Sequence, residues 1–262
     1  MLRRKIRRFF CSSVFLFLTM LALSSCAKAP VNLPIGQTPV DYIYRPSAGT
    51  AAYRHDMVHV IAPAETVYRI SKMYDVPVAA ILEANQIKDP RKMKVGQKLV
   101  IPQGAPLRPV IPVFKTKKWK YIVVHHSVTE AGDARSLDLI HRKRGFNRGL
   151  GYHFVIDNGT NTKVDGQIES SARWIKQLDG AHCSAGGMNK CAIGICLVGD
   201  FTSSEPTAGQ MESLVLLVNT LKDYYHMPSS RVLRHKDVPG AKTECPGKSF
   251  PWYEFKARLK RD

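Results

Sequence analysis

The chain has 262 residues, 44 % of them hydrophobic, which is enough for one full-sized core and a smaller unit beside it. It carries 39 Lys and Arg against 21 Asp and Glu, a formal charge of +18. No nucleic-acid-binding motif accompanies that charge. This sets nucleic acid aside as a partner and favours an anionic membrane or an anionic wall polymer.

Residues 1–25 read as an export leader. Arg3, Arg4, Lys5, Arg7 and Arg8 precede a mostly apolar run from Phe9 to Leu23, and small residues follow. The run is short for a transmembrane helix. Leu23-Ser24-Ser25-Cys26 resembles a bacterial lipobox, which implies a lipid-modified Cys26 as the new N-terminus; an ordinary signal peptide cut nearby is the alternative. The expectation is a membrane-anchored lipoprotein facing the periplasm or cell wall. Ala27 favours the outer membrane if the host is Gram-negative. Residues 26–56, punctuated by Pro30, Pro34, Pro39 and Pro46, read as a flexible tether. In an oxidising compartment Cys183 and Cys191 could close a small disulfide loop, which spacing alone leaves open. Cys196, inside an apolar run, reads as a small buried hydrophobe.

Residues 57–102 read as strand, helix, helix, strand. Val58 to Ile61 is extended, Thr66 caps a helix bearing Val67, Ile70 and Tyr74, a second helix carries Val78, Ile81 and Leu82, and Lys98 to Pro102 closes the unit. Glu65-Thr66-Val67, Tyr74-Asp75-Val76, Ala84-Asn85 and Val95-Gly96-Gln97-Lys98-Leu99-Val100-Ile101-Pro102 together resemble a LysM domain. The resemblance implies binding of N-acetylglucosamine-containing glycans, chiefly peptidoglycan. Glu65, Thr66 and Ile87, with Pro63 and Ala64, are then candidate contacts; a spacer with little affinity of its own is the alternative. Residues 103–117, rich in proline, read as a linker.

Residues 118–262 alternate strands and helices. Tyr121 to Ser127, Gly151 to Asp157, Ala192 to Gly199 and Arg231 to Leu233 read as strands. Ser136 to Arg144, Thr207 to Tyr225 and Trp252 to Leu259 read as helices, with Thr207 and Gln210 spaced as a capping box. The fold expected is α/β, a mixed central sheet flanked by helices, beside the small βααβ module. Among nine histidines, His141 and His226 read as solvated, while His125, His126, His153, His182 and His235 fall at strand ends or adjoining loops. Strand alternation sends His125 and His126 to opposite faces, so only one can point with His235. His235 and Cys245 share a short Pro/Gly-punctuated loop and are good ligands for a metal such as zinc.

Val124-His125-His126-Ser127, Gly151-Tyr152-His153-Phe154, Gly180-Ala181-His182, Asn189 with Ile193-Gly194-Ile195, and His235-Lys236-Asp237-Val238 through Thr243-Glu244-Cys245-Pro246-Gly247 follow one another in order. This set resembles the zinc-dependent N-acetylmuramoyl-L-alanine amidases shared by phage amidase-lysozymes and peptidoglycan-recognition proteins. The resemblance implies His125, His235 and Cys245 as Zn2+ ligands with a fourth position open for water, the arrangement of a catalytic rather than a structural zinc. It implies Tyr152 as a catalytic hydroxyl, with His153, His182 and Asn189 lining the substrate groove. Where the family often has a lysine two positions before the cysteine, this chain has Thr243, with Lys242 next to it; either is a candidate oxyanion partner. The implied partner is peptidoglycan and the implied state a monomer. Two other readings stay open: a lipoprotein that binds peptidoglycan without cutting, for which loss of the cysteine would be the mark, and a metallopeptidase acting within the stem peptide.

Overall fold

The computed structural model describes residues 39–43, 53–116 and 118–262. The leader over 1–25 and the lipidation site Cys26 lie outside the described residues. The strands are β1 (Val40–Ile43), β2 (His55–Val60), β3 (Lys98–Gly104), β4 (Val110–Val113), β5 (Tyr121–His126), β6 (Phe154–Asn158), β7 (Asp165–Ser170), β8 (Ala192–Leu197) and β9 (Val232–Arg234). The helices are α1 (Val67–Tyr74), α2 (Val78–Ala84), α3 (Ala134–Lys143), α4 (Ala172–Ile175), α5 (Met188–Cys191), α6 (Ala208–Tyr225) and α7 (Trp252–Ala257).

The small module is built as its sequence pattern requires. The Thr66 hydroxyl accepts the Arg69 N–H at the start of α1, and Asp75 ends the helix in the left-handed region at φ 54°. Ile70 and Met73 from α1 and Ile81 from α2 close over Leu99 and Ile101, while β2 and β3 pair antiparallel beneath them. The ends of the module differ from the sequence reading. The tether over 26–56 is not featureless: β1 lies within it and pairs antiparallel with β4, Val40 opposite Val113. The linker over 103–117 contains β4, and Ile111, Val113 and Phe114 enter the core of the larger domain. Four residues are too few for periodicity to show; Pro39 and Pro109 precede the two strands, and Pro112 is accommodated within β4, which pairs on one side only with β1.

The larger domain is a mixed five-stranded sheet in the order β7-β6-β8-β5-β9. β5 runs parallel to β8 and β9, β6 runs parallel to β8, and β7 is antiparallel to β6. One face of the sheet (Ile122, Val124, Phe154, Ile156, Ile195) packs on Leu214, Leu217, Val218 and Leu221 of α6. On the other face Val155, Cys196 and Val198 meet Ala134 and Leu137 of α3. Parallel strands covered on both sides read as continuous apolar runs, which is why β5 and β8 are legible. β7 is not, because its sequence Asp-Gly-Gln-Ile-Glu-Ser offers one aliphatic residue; Gln167 and Glu169 are nevertheless buried, Gln167 accepting the Val164 N–H and Glu169 pairing with Lys163.

The capping box on α6 forms: the Thr207 hydroxyl accepts the Gln210 N–H at 3.0 Å, and the Gln210 side chain accepts the Thr207 N–H at 3.1 Å. The Gln210 amide also donates to the carbonyls of Ile156 and Val198, tying the helix start to β6 and to the end of β8. Thr207→Ala is therefore expected to lower unfolding free energy by about 1 kcal/mol, measured by chemical denaturation; an unchanged midpoint would count against the cap as a stabilising contact.

Candidate metal centre

β5 delivers two histidines to opposite sides of the sheet. His126 points towards the α6 side, where its Nδ1 accepts the Phe201 N–H at 3.1 Å. His125 points the other way, opposite Cys196 in the β5–β8 register. The β9 strand is short and parallel to β5, and it brings His235 to the same end of the sheet. His235 and His125 ring centroids are 4.6 Å apart. The loop that follows folds back so that the Cys245 carbonyl accepts the Lys236 N–H at 2.9 Å. This places Cys245 Sγ 3.7 Å from His125 Nδ1, with the His126 backbone N–H directed at the sulfur at 3.4 Å. One ligand atom from each of His125, His235 and Cys245 lies within 4.8 Å of the others, and this is the only such trio found among the described residues.

The hydrogen bonds around His125 assign its tautomer. His182 Nε2 lies 3.3 Å from the Ala192 carbonyl, which can only accept, so Nε2 carries the proton. Burial lowers the His182 pKa to about 4, so the ring is neutral and its Nδ1 is an acceptor. His125 Nε2, 3.0 Å away, therefore donates to it. Burial, reinforced by His182 and His235, holds His125 well below the usual histidine range, leaving Nδ1 as an unprotonated lone pair facing Cys245 and His235. Burial also lowers His235. Burial pushes the Cys245 thiol up to about 12, so a thiolate there requires a cation beside it. Two neutral imidazoles and one thiol converging at this spacing are a donor set that fits zinc. Removing the acceptor that orients His125, by His182→Ala, is expected to weaken metal affinity about 10- to 100-fold, read by competition with a chromogenic chelator; unchanged affinity would show that His125 is oriented by other contacts.

Tyr152 sits directly after Gly151 with its ring 5.2 Å from that of His125. Burial, with the neighbouring Cys196 and Cys245 thiols, holds its hydroxyl well above the usual phenol range. The group is a neutral donor at any pH near 7. Cys196 is wholly buried, as its sequence context implies, but it also touches the polar site. Its signal in the sequence is the register: β8 alternation puts it on the His125 face.

Other sequence expectations are corrected. His153 does not line the groove that the resemblance implies: it is wholly buried with both nitrogens used, Nδ1 accepting the Gly194 N–H and Nε2 donating to the Leu178 carbonyl. The Asn189 carbonyl oxygen accepts the N–H groups of His182 and Cys183, each at 2.8 Å, so it shapes the His182 loop instead of facing a ligand. His141 is not solvated; it is buried, and its Nδ1 accepts the Gly151 N–H at 2.9 Å, fixing the residue before Tyr152. Thr243 Oγ1 accepts the Cys245 N–H at 3.1 Å, while Lys242 is exposed. Cys183 and Cys191 are free thiols. In the small module the Glu65 carboxylate is turned inward, bonded to His59 Nε2 at 2.8 Å and to the Ala62 N–H at 2.7 Å, so it is not available to a glycan. The hydroxyl of Thr66 serves α1 as its cap, and Ile87 packs against the module core.

The chain is similar to known proteins over both of its domains. Residues 59–102 match the LysM domain family. Over 141 residues the chain is 30 % identical to peptidoglycan-recognition protein 2 of Holotrichia diomphalia, covering 48 % of this chain and 70 % of that one. It is 28 % identical over 169 residues to peptidoglycan-recognition protein LE of Drosophila melanogaster, covering 61 % of this chain and 43 % of that one. Among solved structures it is similar to the endolysin N-acetylmuramoyl-L-alanine amidase LysCS from Clostridium intestinale URNW, at 36 % identity and a TM-score of 0.46, covering 55 % of this chain and 86 % of that one. The match that includes the His125, His235 and Cys245 trio runs over residues 115–248, and by it the chain belongs to the N-acetylmuramoyl-L-alanine amidase family.

Proposed function

We propose that this chain is a zinc-dependent amidase that cleaves the bond between N-acetylmuramic acid and L-alanine in peptidoglycan, held at its substrate by the LysM module and at a membrane by lipid on Cys26. The observation that carries the reading is the convergence of two neutral imidazoles and a thiol beside the half-buried Tyr152. His125, through Nδ1, together with His235 and Cys245, would hold the ion. Zinc in such a set supplies Lewis-acid chemistry, acidifying water towards a pKa near 7 and polarising an amide carbonyl.

The protein groups have separate tasks. His182 keeps His125 in the tautomer that leaves Nδ1 free. Tyr152 stays protonated and donates a hydrogen bond where negative charge develops on the carbonyl oxygen. Gly151, held by His141, fixes the position of that tyrosine. Thr243 bonds the backbone N–H of Cys245 and so stands beside the site as an oxyanion candidate; Lys242, exposed, would reach substrate as a charge from outside.

The test is digestion of purified peptidoglycan with and without a chelator, with the products identified by mass spectrometry. The expected products are stem peptides with a free N-terminal L-alanine, lost on chelation and restored by zinc. Intact muropeptides would sink the amidase reading in favour of binding without cleavage. Fragments cut inside the stem would identify a peptidase instead.

A further inference from the structure

The outer face of α3 carries charge that the metal centre does not use. The helix buries Ala134, Leu137 and His141. Its other side presents Arg135, Leu139 and Lys143, which at four-residue spacing fall in one row. Arg135 and Lys143 are exposed and form no ion pair among the described residues, whereas Arg142 beside them is held by Asp138 at 2.7 Å. Leu139, between the two free cations, is 52 % exposed.

The row continues onto the small module. The Arg135 guanidinium lies against Gly96, so close that a Cβ there would meet its Cζ at 2.7 Å. Around Gly96, Lys94 and Lys98 are exposed and without an ion pair among the described residues, and Val95 is 49 % exposed. Residues 91–98 include no acid, and Asp138 is the only acid in 134–148. The two domains therefore share one surface on which unpaired cations surround two aliphatic side chains. Single exposed aliphatics are ordinary. Their place among cations is what selects a partner. A soluble phosphate polymer would be served by the cations alone and would leave Val95 and Leu139 in water. A bilayer with anionic headgroups takes both, the cations at the phosphates and the aliphatic groups below them. The sequence brings such a bilayer within reach, because the apolar run Phe9 to Leu23 and the lipobox cysteine Cys26 precede the folded part.

We propose that the Arg135–Leu139–Lys143 row and the Lys94–Lys98 turn form a docking surface for an anionic phospholipid bilayer, on which both domains lie side by side. The choice of a bilayer rests on the membrane-anchored reading above and is independent of the amidase chemistry.

The test uses the chain from Leu33 onward, a compact unit that keeps every described strand and helix and lacks the leader and Cys26, so that lipidation plays no part. It should cosediment with vesicles of phosphatidylethanolamine and phosphatidylglycerol and not with vesicles of phosphatidylcholine. Binding should be lost near ~0.5 M salt, where the screening length falls to roughly 4 Å. Arg135→Gln/Lys143→Gln should lower partitioning about 30-fold, the worth of two cations at an anionic surface. Leu139→Ser should lower it about five- to tenfold with the salt dependence unchanged. Lys120→Gln/Arg261→Gln removes the same charge from exposed positions elsewhere and should bind as the parent does. An equal loss in that control pair would show that net charge alone binds, and would overturn the proposal. Full binding by Leu139→Ser, with inorganic polyphosphate competing off the parent chain, would also overturn it and assign the surface to a phosphate polymer.

Discussion

Cys245→Ser is expected to lose stoichiometric zinc and to lower release of stem peptides by about a thousandfold or more. The argument is one of donor chemistry. Cys245 Sγ is the only sulfur in the trio, and burial pushes its thiol pKa up to about 12, so only a nearby cation would ionise it. A serine hydroxyl is a far weaker acid and a harder donor, so one of three protein ligands is effectively withdrawn. The Lewis-acid contribution is worth several kcal/mol, and each ~1.4 kcal/mol of barrier is a factor of ten, which sets the scale of the loss. Zinc content by metal analysis and product release by mass spectrometry should fall together. Activity that survives with the zinc gone would remove metal from the mechanism. Zinc that survives with activity gone would show that His125 and His235 suffice to hold it and that the sulfur tunes reactivity.

Lys163→Met is expected to destabilise the folded chain by about 3–5 kcal/mol, the cost of leaving a buried partner charge uncompensated. Lys163 is almost wholly buried at the seam of the two domains. It pairs with Glu169 of β7 and donates to the Val60 carbonyl of β2. Two further carboxyls feel it. Glu65 is kept below the usual carboxylate range against the cost of its burial, first by His59 and then by Lys163. Asp157 is pushed well above that range by burial and by the Glu169 carboxylate, an effect Lys163 opposes. With the cation gone, Glu169 and Glu65 face each other's field in a low-dielectric seam. The double variant Lys163→Met/Glu169→Gln should recover much of the loss, since a neutral pair requires no counter-charge. Denaturant titration followed by tryptophan fluorescence reads both. The pH dependence has a definite sign for Glu65: a depressed carboxyl contributes its stabilisation above the unfolded pKa and loses it as pH falls through the lower folded value. In Lys163→Met that acid-side loss should begin at a higher pH. A single variant within about 1 kcal/mol of the parent would show that the seam does not depend on this ion pair.

The elements that the sequence makes legible are those buried in the ordinary way. β5 and β8 are continuous apolar runs, α6 has an apolar face and a capping box, and α1 with β3 encloses a small core. The clustering of His125, His235 and Cys245 is legible too, although His125 and Cys245 lie 120 positions apart, because each sits at the end of a readable element. What stays hidden is burial of polar side chains. β7 carries Gln167 and Glu169 inward, and His141 and His153 are sealed in by backbone partners. A pattern that sorts residues into apolar-in and polar-out places such residues on the surface, or assigns them to a ligand. Asn189 shows the same limit: its oxygen could serve a substrate or two backbone N–H groups, and only the fold decides for the latter.

The pairing of β1 with β4 limits the reach that any anchor upstream of Val40 would allow the larger domain. If lipid holds Cys26, the leash is not the whole stretch to His55, 29 positions on, but only the 14 positions to Val40, where the chain is stitched to Val113. At ~3.5 Å per residue that is at most about 50 Å when fully stretched, against about 100 Å without the stitch. The accessible wall is then a layer whose depth is set by those 14 residues. Lengthening or shortening this stretch should move that layer without altering the site itself.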